Sequence, residues 1–142
     1  MSKLKALTAT ACLAFFIVAT HMEHGMADAM DSRLLGAWVQ SVSDCKQIFE
    51  SREGRLTFRQ PIDAFSIAFI ISPGEIRAST GSCRVGRISS GSGYISMALE
   101  CNNSVGFLPI NARVKIVSST EITYGDAAND PILDTTYEKC AP

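Results

Sequence analysis

Apolar and polar residues alternate with a period of two through most of this chain beyond its first thirty positions. Residues 110–116 place Ile110, Ala112, Val114 and Ile116 on one side and Asn111, Arg113 and Lys115 on the other, the pattern of a half-buried antiparallel strand. Residues 55–60 repeat it, with Leu56 and Phe58 opposed to Arg55, Thr57 and Arg59. Residues 64–72 are more continuously apolar and predict a central strand, after which Ser72-Pro73-Gly74 turns the chain into a short strand at 75–78. Strands at 84–88 and 94–100 flank a glycine-serine turn. Further strands are expected at 35–41, 105–108, 121–124 and 135–139, nine or ten in all. One short helix is expected near 44–50, where Asp44 with Gln47 three residues on reads as an N-cap signal. Many short strands joined by glycine-rich turns predict an all-β antiparallel meander, closed or nearly closed into a small barrel, because closure removes exposed sheet edges. Phe58, Phe65, Phe69 and Phe107 are expected to fill the interior. A dry pocket above about 300 Å³ would instead indicate a ligand carrier.

The opening residues follow a different pattern. Lys3 and Lys5 precede an apolar run over residues 6–20, shorter than the roughly 20 residues that span a bilayer. The run leads to Ala27-Asp28-Ala29, a small-residue cleavage site. This predicts a helical signal peptide over residues 1–29, cut after Ala29, with cleavage after Ala27 or retention as an uncleaved anchor as the alternatives, and one domain over 30–142. The apolar run continues past Cys12, which argues against lipid attachment there. The expected location is periplasmic or secreted, with membrane contact only through the signal segment before cleavage.

Four of the five cysteines lie beyond that signal: Cys45, Cys83, Cys101 and Cys140. Four cysteines allow three connectivities. Centring the 84–100 hairpin on Ser92 sets Cys83 opposite Cys101, Val85 opposite Leu99 and Arg84 opposite Glu100, so that apolar meets apolar and opposite charges meet. This register favours Cys83–Cys101 and leaves Cys45 with Cys140, tying the start of the domain to its last strand. Both bridges are expected to be structural, since no C-x-x-C redox motif is present.

Gly36-Ala37-Trp38 resembles the G-x-W opening of lipocalin and calycin barrels, and the resemblance implies a calycin-like barrel with the tryptophan plugging its closed end. The chain is also similar to a group of small exported bacterial proteins of unknown function with four cysteines. That likeness is carried by Trp38, Asp44, Cys45, Ile48, Phe49, Cys83, Glu100, Cys101, Tyr137 and Cys140. It implies a shared fold and export, and brings no activity with it.

Charge and residue classes then narrow the function. Removal of residues 1–29 takes Lys3, Lys5, Glu23 and Asp28 from the 13 basic and 14 acidic residues and leaves a charge of about −1. Nucleic acid and anionic membranes attract a clear cationic excess, so neither is an expected partner. Both histidines, His21 and His24, leave with the signal. Without imidazole or free thiolate, the Ser-His-Asp and Cys-His arrangements cannot be assembled, and zinc loses its usual ligands. No cofactor or metal is expected. Asp126, Asp130 and Asp134 are spaced unlike a calcium loop and read as an acidic surface loop. Asp63, Glu75, Glu100 and Glu121 are the carboxylates that a hydrolase pair would draw on, a minor alternative.

The expected function is therefore a non-enzymatic, monomeric, exported binding module whose partner is an unknown exported protein or envelope component. Two alternatives are a structural envelope protein and a periplasmic protease inhibitor. The second rests on a resemblance to small calycin-class inhibitors, in which the segment before G-x-W enters the protease cleft; here that segment is 30–34. Candidate contact residues are Trp38, which could stack on a ligand, and Arg55 and Arg59, which could share a strand face and grip an anionic group.

Overall fold

Ten strands and one single-turn helix make up the regular structure of the described residues. They are β1 (Gly36–Val39), α1 (Cys45–Ile48), β2 (Phe49–Arg52), β3 (Arg55–Phe58), β4 (Ala68–Ser72), β5 (Glu75–Ala78), β6 (Gly81–Gly91), β7 (Tyr94–Asn103), β8 (Phe107–Ile116), β9 (Glu121–Asp126) and β10 (Thr135–Lys139), with short 3₁₀ turns between some of them. The computed structural model describes residues 29–142. The predicted signal segment, with Cys12, His21 and His24, lies outside the described residues.

Strands β4 to β10 follow one another as an antiparallel meander, and β1 closes the ring by pairing with both β10 and β4. The result is a closed eight-stranded barrel, as the alternation predicts. Its larger apolar core lies inside the ring. Trp38, Ile71, Met97, Leu99, Val114 and Ile122 are fully buried inside. The four phenylalanines assigned to the interior divide differently. Phe69 is inside, Phe58 belongs to the β2–β3 hairpin outside the ring, and Phe65 and Phe107 are 92% and 65% exposed. The space is filled instead by Trp38 and by Tyr137, whose ring meets Phe69 edge-on at 4.8 Å.

The cysteine pairs form as expected, Cys83 with Cys101 and Cys45 with Cys140. So do the predicted pairs Arg84↔Glu100 and Val85↔Leu99, but the register shifts between Val85 and Ile88. Strand periodicity would send residues three apart to opposite faces, and an extra residue lets both Val85 and Ile88 pack against the interior. The turn consequently falls at Ser92-Gly93, both with positive φ, as a two-residue hairpin turn matched to strand twist requires.

Three other expectations shift. Residues 64–67 are not strand: the Asp63 side chain accepts from the Phe65 amide and its carbonyl accepts from the Ser66 amide, making a turn before β4. Residues 107–108 and 110–116 belong to one strand, β8, which passes through Pro109 opposite Glu100, while 105–106 stay in the turn before it. The helix is present but short, and Asp44 makes no capping hydrogen bond because a 3₁₀ turn precedes it.

The excursion between β1 and β4 builds a second, smaller core on the outside of the barrel. Phe49 and Phe58 of the hairpin stack at 5.0 Å and cover Ala37, Val39, Ala68 and Ile70, the outward residues of β1 and β4. The Cys45–Cys140 bridge joins this layer to the end of β10.

Candidate interaction surface

An eight-stranded meander sends its connections alternately to two ends. The base receives the segment before β1 and the short turns β4–β5, β6–β7 and β8–β9. It is sealed. Asp31 caps the 3₁₀ turn Ser32–Leu34 and is held by Arg33, whose hydrogen bonds keep its carboxyl below the usual carboxylate range. Leu34 is fully buried, and its carbonyl accepts from Trp38 Nε1 at 2.8 Å. Lys139 Nζ sits 5.2 Å from the Trp38 ring centre, within cation–π range. Trp38 is 0% exposed, so it is a plug and offers no face to a ligand.

The opposite end receives the β3–β4, β5–β6, β7–β8 and β9–β10 connections and the chain leaving β1. Ten large apolar residues are exposed in the described chain, and nine belong to this end. They are Val42 after β1, Ile62, Phe65 and Ile67 before β4, Val105, Phe107 and Leu108 at the β7–β8 turn, and Ile132 and Leu133 before β10. Val117 is the exception, at the base. Sequence reasoning placed Phe65 and Phe107 in the barrel interior and Ile67 in a central strand, and so missed them as surface. Asp44, Asp63, Asp130 and Asp134 are the acidic groups in these connections, with Asp126 at the end of β9 beside them.

Within this rim a recess of about 340 Å³ dips toward the interior, lined by Phe65, Ile67, Phe69, Ile76, Tyr124 and Tyr137 among others. The interior is therefore filled below and open at the mouth, where the recess slightly exceeds the size expected to separate a filled barrel from a carrier. Burial pushes the Tyr124 phenol up to about 12, with smaller contributions from Tyr137 and Asp126. Tyr137 is also raised by burial, partly offset by a hydrogen bond with Gln40.

The β9–β10 loop is fastened by an ion pair that alternation alone did not reveal. Arg113 points outward from β8 as expected, yet it is only 9% exposed. Its guanidinium donates to both Asp134 carboxylate oxygens, at 3.0 and 2.6 Å, and to the Asn129 carbonyl at 3.0 Å, and it lies 5.7 Å from the Tyr94 ring centre. Asp134 raises the Arg113 pKa further above its ordinary value. The other two loop aspartates serve the chain as well: Asp126 accepts from the Ala128 amide and Asp130 from the Ile132 amide. Among the described residues no three His, Cys, Asp or Glu side chains are grouped to hold a metal ion.

The remaining candidates do not converge. Arg55 opens β3, but Arg59 lies past the strand end, where its Nε donates to the Lys46 carbonyl and its amide to Ile48. The two line different concavities. Of the four carboxylates, Glu75 and Glu100 sit on β5 and β7 with Arg84 between them, and Arg84 pairs with Glu100 at 3.0 Å. Asp63 and Glu121 belong to opposite ends of the barrel. Comparison with protein families, with curated proteins and with solved structures finds no match to this chain.

Proposed function

We propose that this chain is an exported, non-enzymatic binding module that grips an envelope or secreted protein with the apolar loops at the open end of its barrel. One observation carries the reading: nine of the ten exposed large apolar residues in the described chain share that end. Monomeric soluble proteins rarely gather exposed apolar surface, and where they do it marks an interaction site. The loops are held rather than loose, since the Arg113–Asp134 pair anchors one and the Asp63 turn shapes another, which lowers the ordering cost of binding. Two disulfides support an oxidising compartment, and with it the predicted signal peptide. The sealed base and buried Trp38 accord with the calycin-like resemblance. The protease-inhibitor alternative has less support, because residues 30–34 would have to leave the base where Leu34 is fully buried.

Affinity capture from an envelope extract with the oxidised chain tests this reading. Phe65→Ser and Phe107→Ser remove exposed side chains, so they should abolish recovery of the specific partner while leaving the melting temperature unchanged. Recovery that survives both substitutions would refute the open-end site. A second reading, a small apolar ligand in the mouth, draws on the recess beside Tyr124 and Tyr137. A small molecule co-purifying with the chain and lost on Tyr124→Ala, but not on Phe107→Ser, would select it.

A further inference from the structure

The barrel wall carries a second concavity, independent of the open-end reading. The base of the β2–β3 hairpin packs on β1 and β4. Beside its tip runs a groove of about 770 Å³, with the partly covered Leu35 and Leu56 and the exposed Pro73 among its apolar lining. That volume falls within the roughly 300–1,000 Å³ of small-molecule sites. Four cationic side chains also line it, Arg52, Arg55, Arg77 and Lys139, against one acidic side chain, Glu53.

Register explains why cations and apolar surface adjoin. Ala37 and Ile70 lie under the hairpin, and Arg77, the cross-strand partner of Ile70, stands at its edge beside Leu56 and Pro73. On the hairpin Arg52 stands directly opposite Arg55, and like charges so placed repel. Arg52 is held by Glu50 at 2.6 Å and Arg77 stands 3.8 Å from Glu75. Lys139 donates to the Arg33 carbonyl. Arg55 makes no ion pair or side-chain hydrogen bond among the described residues. The groove therefore combines an apolar floor with an uncommitted guanidinium in a cationic surround. A small anion would leave the floor unused, and a neutral hydrocarbon would leave the charge unanswered.

We propose that this groove binds a single-chain carboxylate amphiphile, a long-chain fatty acid, with its tail along Leu35, Leu56 and Pro73 and its carboxylate against Arg55, Arg77 assisting. Guanidinium suits a carboxylate because two parallel N–H donors meet two oxygens.

The test is titration of the oxidised chain with palmitate labelled with carbon-13 at the carboxylate, followed by NMR below the aggregation threshold of the acid. One saturable site is expected. Arg55→Gln combined with Arg77→Gln should weaken it by about tenfold or more, hexadecanol should bind correspondingly worse, and Phe65→Ser at the mouth should have no effect. Should the double variant lose its fold, Arg55→Gln alone, which removes no intramolecular partner, is read in its place. Absence of saturable binding, unchanged affinity in the arginine variant, or competition by acetate as effective as by palmitate would overturn the proposal. Loss of binding in Phe65→Ser with retention in the arginine variant would overturn it too, by placing the acid in the mouth.

Discussion

Arg113 shows how a single residue can read one way in a pattern and act another way in the fold. Alternation along β8 sends it outward, where a solvated charge is the ordinary expectation. The β9–β10 loop folds over it and supplies Asp134 and the Asn129 carbonyl, so the charge is covered and paired, as a buried charge must be. The loop comes that close because Gly125, the cross-strand partner of Arg113 on β9, has no side chain. A Cβ there would collide with the Asp134 carboxylate. Gly125→Ala should therefore lower stability by about 1–3 kcal/mol through overpacking, whereas Gly91→Ala, where a Cβ meets nothing, should change it little. Thermal melts of the two variants check this. Asp134→Ala should likewise lower the melting temperature, since it strands the Arg113 charge.

Among the elements, the hairpin and α1 depend most on a covalent tie. This layer buries few residues, chiefly Phe49 with partly covered Ile48, Leu56 and Phe58, and Cys45–Cys140 fastens it across 95 residues of chain. Cys83–Cys101 spans only 18 and joins strands that already pair along their length. In the chain-entropy account the long bridge is worth about 4.7 kcal/mol and the short one about 3. The Cys45→Ser/Cys140→Ser variant should lose more stability in urea than Cys83→Ser/Cys101→Ser, and hydrogen exchange should rise first in β2 and β3. Equal losses, with exchange rising evenly, would contradict this division. The short bridge was legible beforehand because its evidence is local: two strands, one turn and three matched pairs. The β2 strand was not, because Phe49–Arg52 is too short to display a period and pairs only with β3.

At the scale of the whole molecule, barrel closure brings Tyr124 and Tyr137 from β9 and β10 beside Phe69 of β4, and their burial sets a limit on the alkaline side. An unfolded tyrosine ionises near 10.0, while folded Tyr124 ionises near 12. Between these values the unfolded chain releases a proton that the folded chain keeps. Stability is thus full below about pH 10 and falls as pH rises toward 12, by up to about 2–3 kcal/mol at about 1.4 per unit. Urea midpoints across that window should decline, and Tyr124→Phe should flatten the decline; an unchanged slope would remove Tyr124 from the account. The sequence by itself determined most of the barrel strands, the closed meander and the Cys83–Cys101 pair, with Cys45–Cys140 following by elimination, because period-two alternation and hairpin pairing act between near neighbours and leave a direct trace in residue order. Only the tertiary structure decided that Phe65, Phe107 and Ile132 share one end, that Arg55 and Arg59 line different concavities, and that Arg113 is covered. Those outcomes depend on how the ring closes and how loops lie across it, which brings together residues far apart in the chain whose order carries no mark of the meeting.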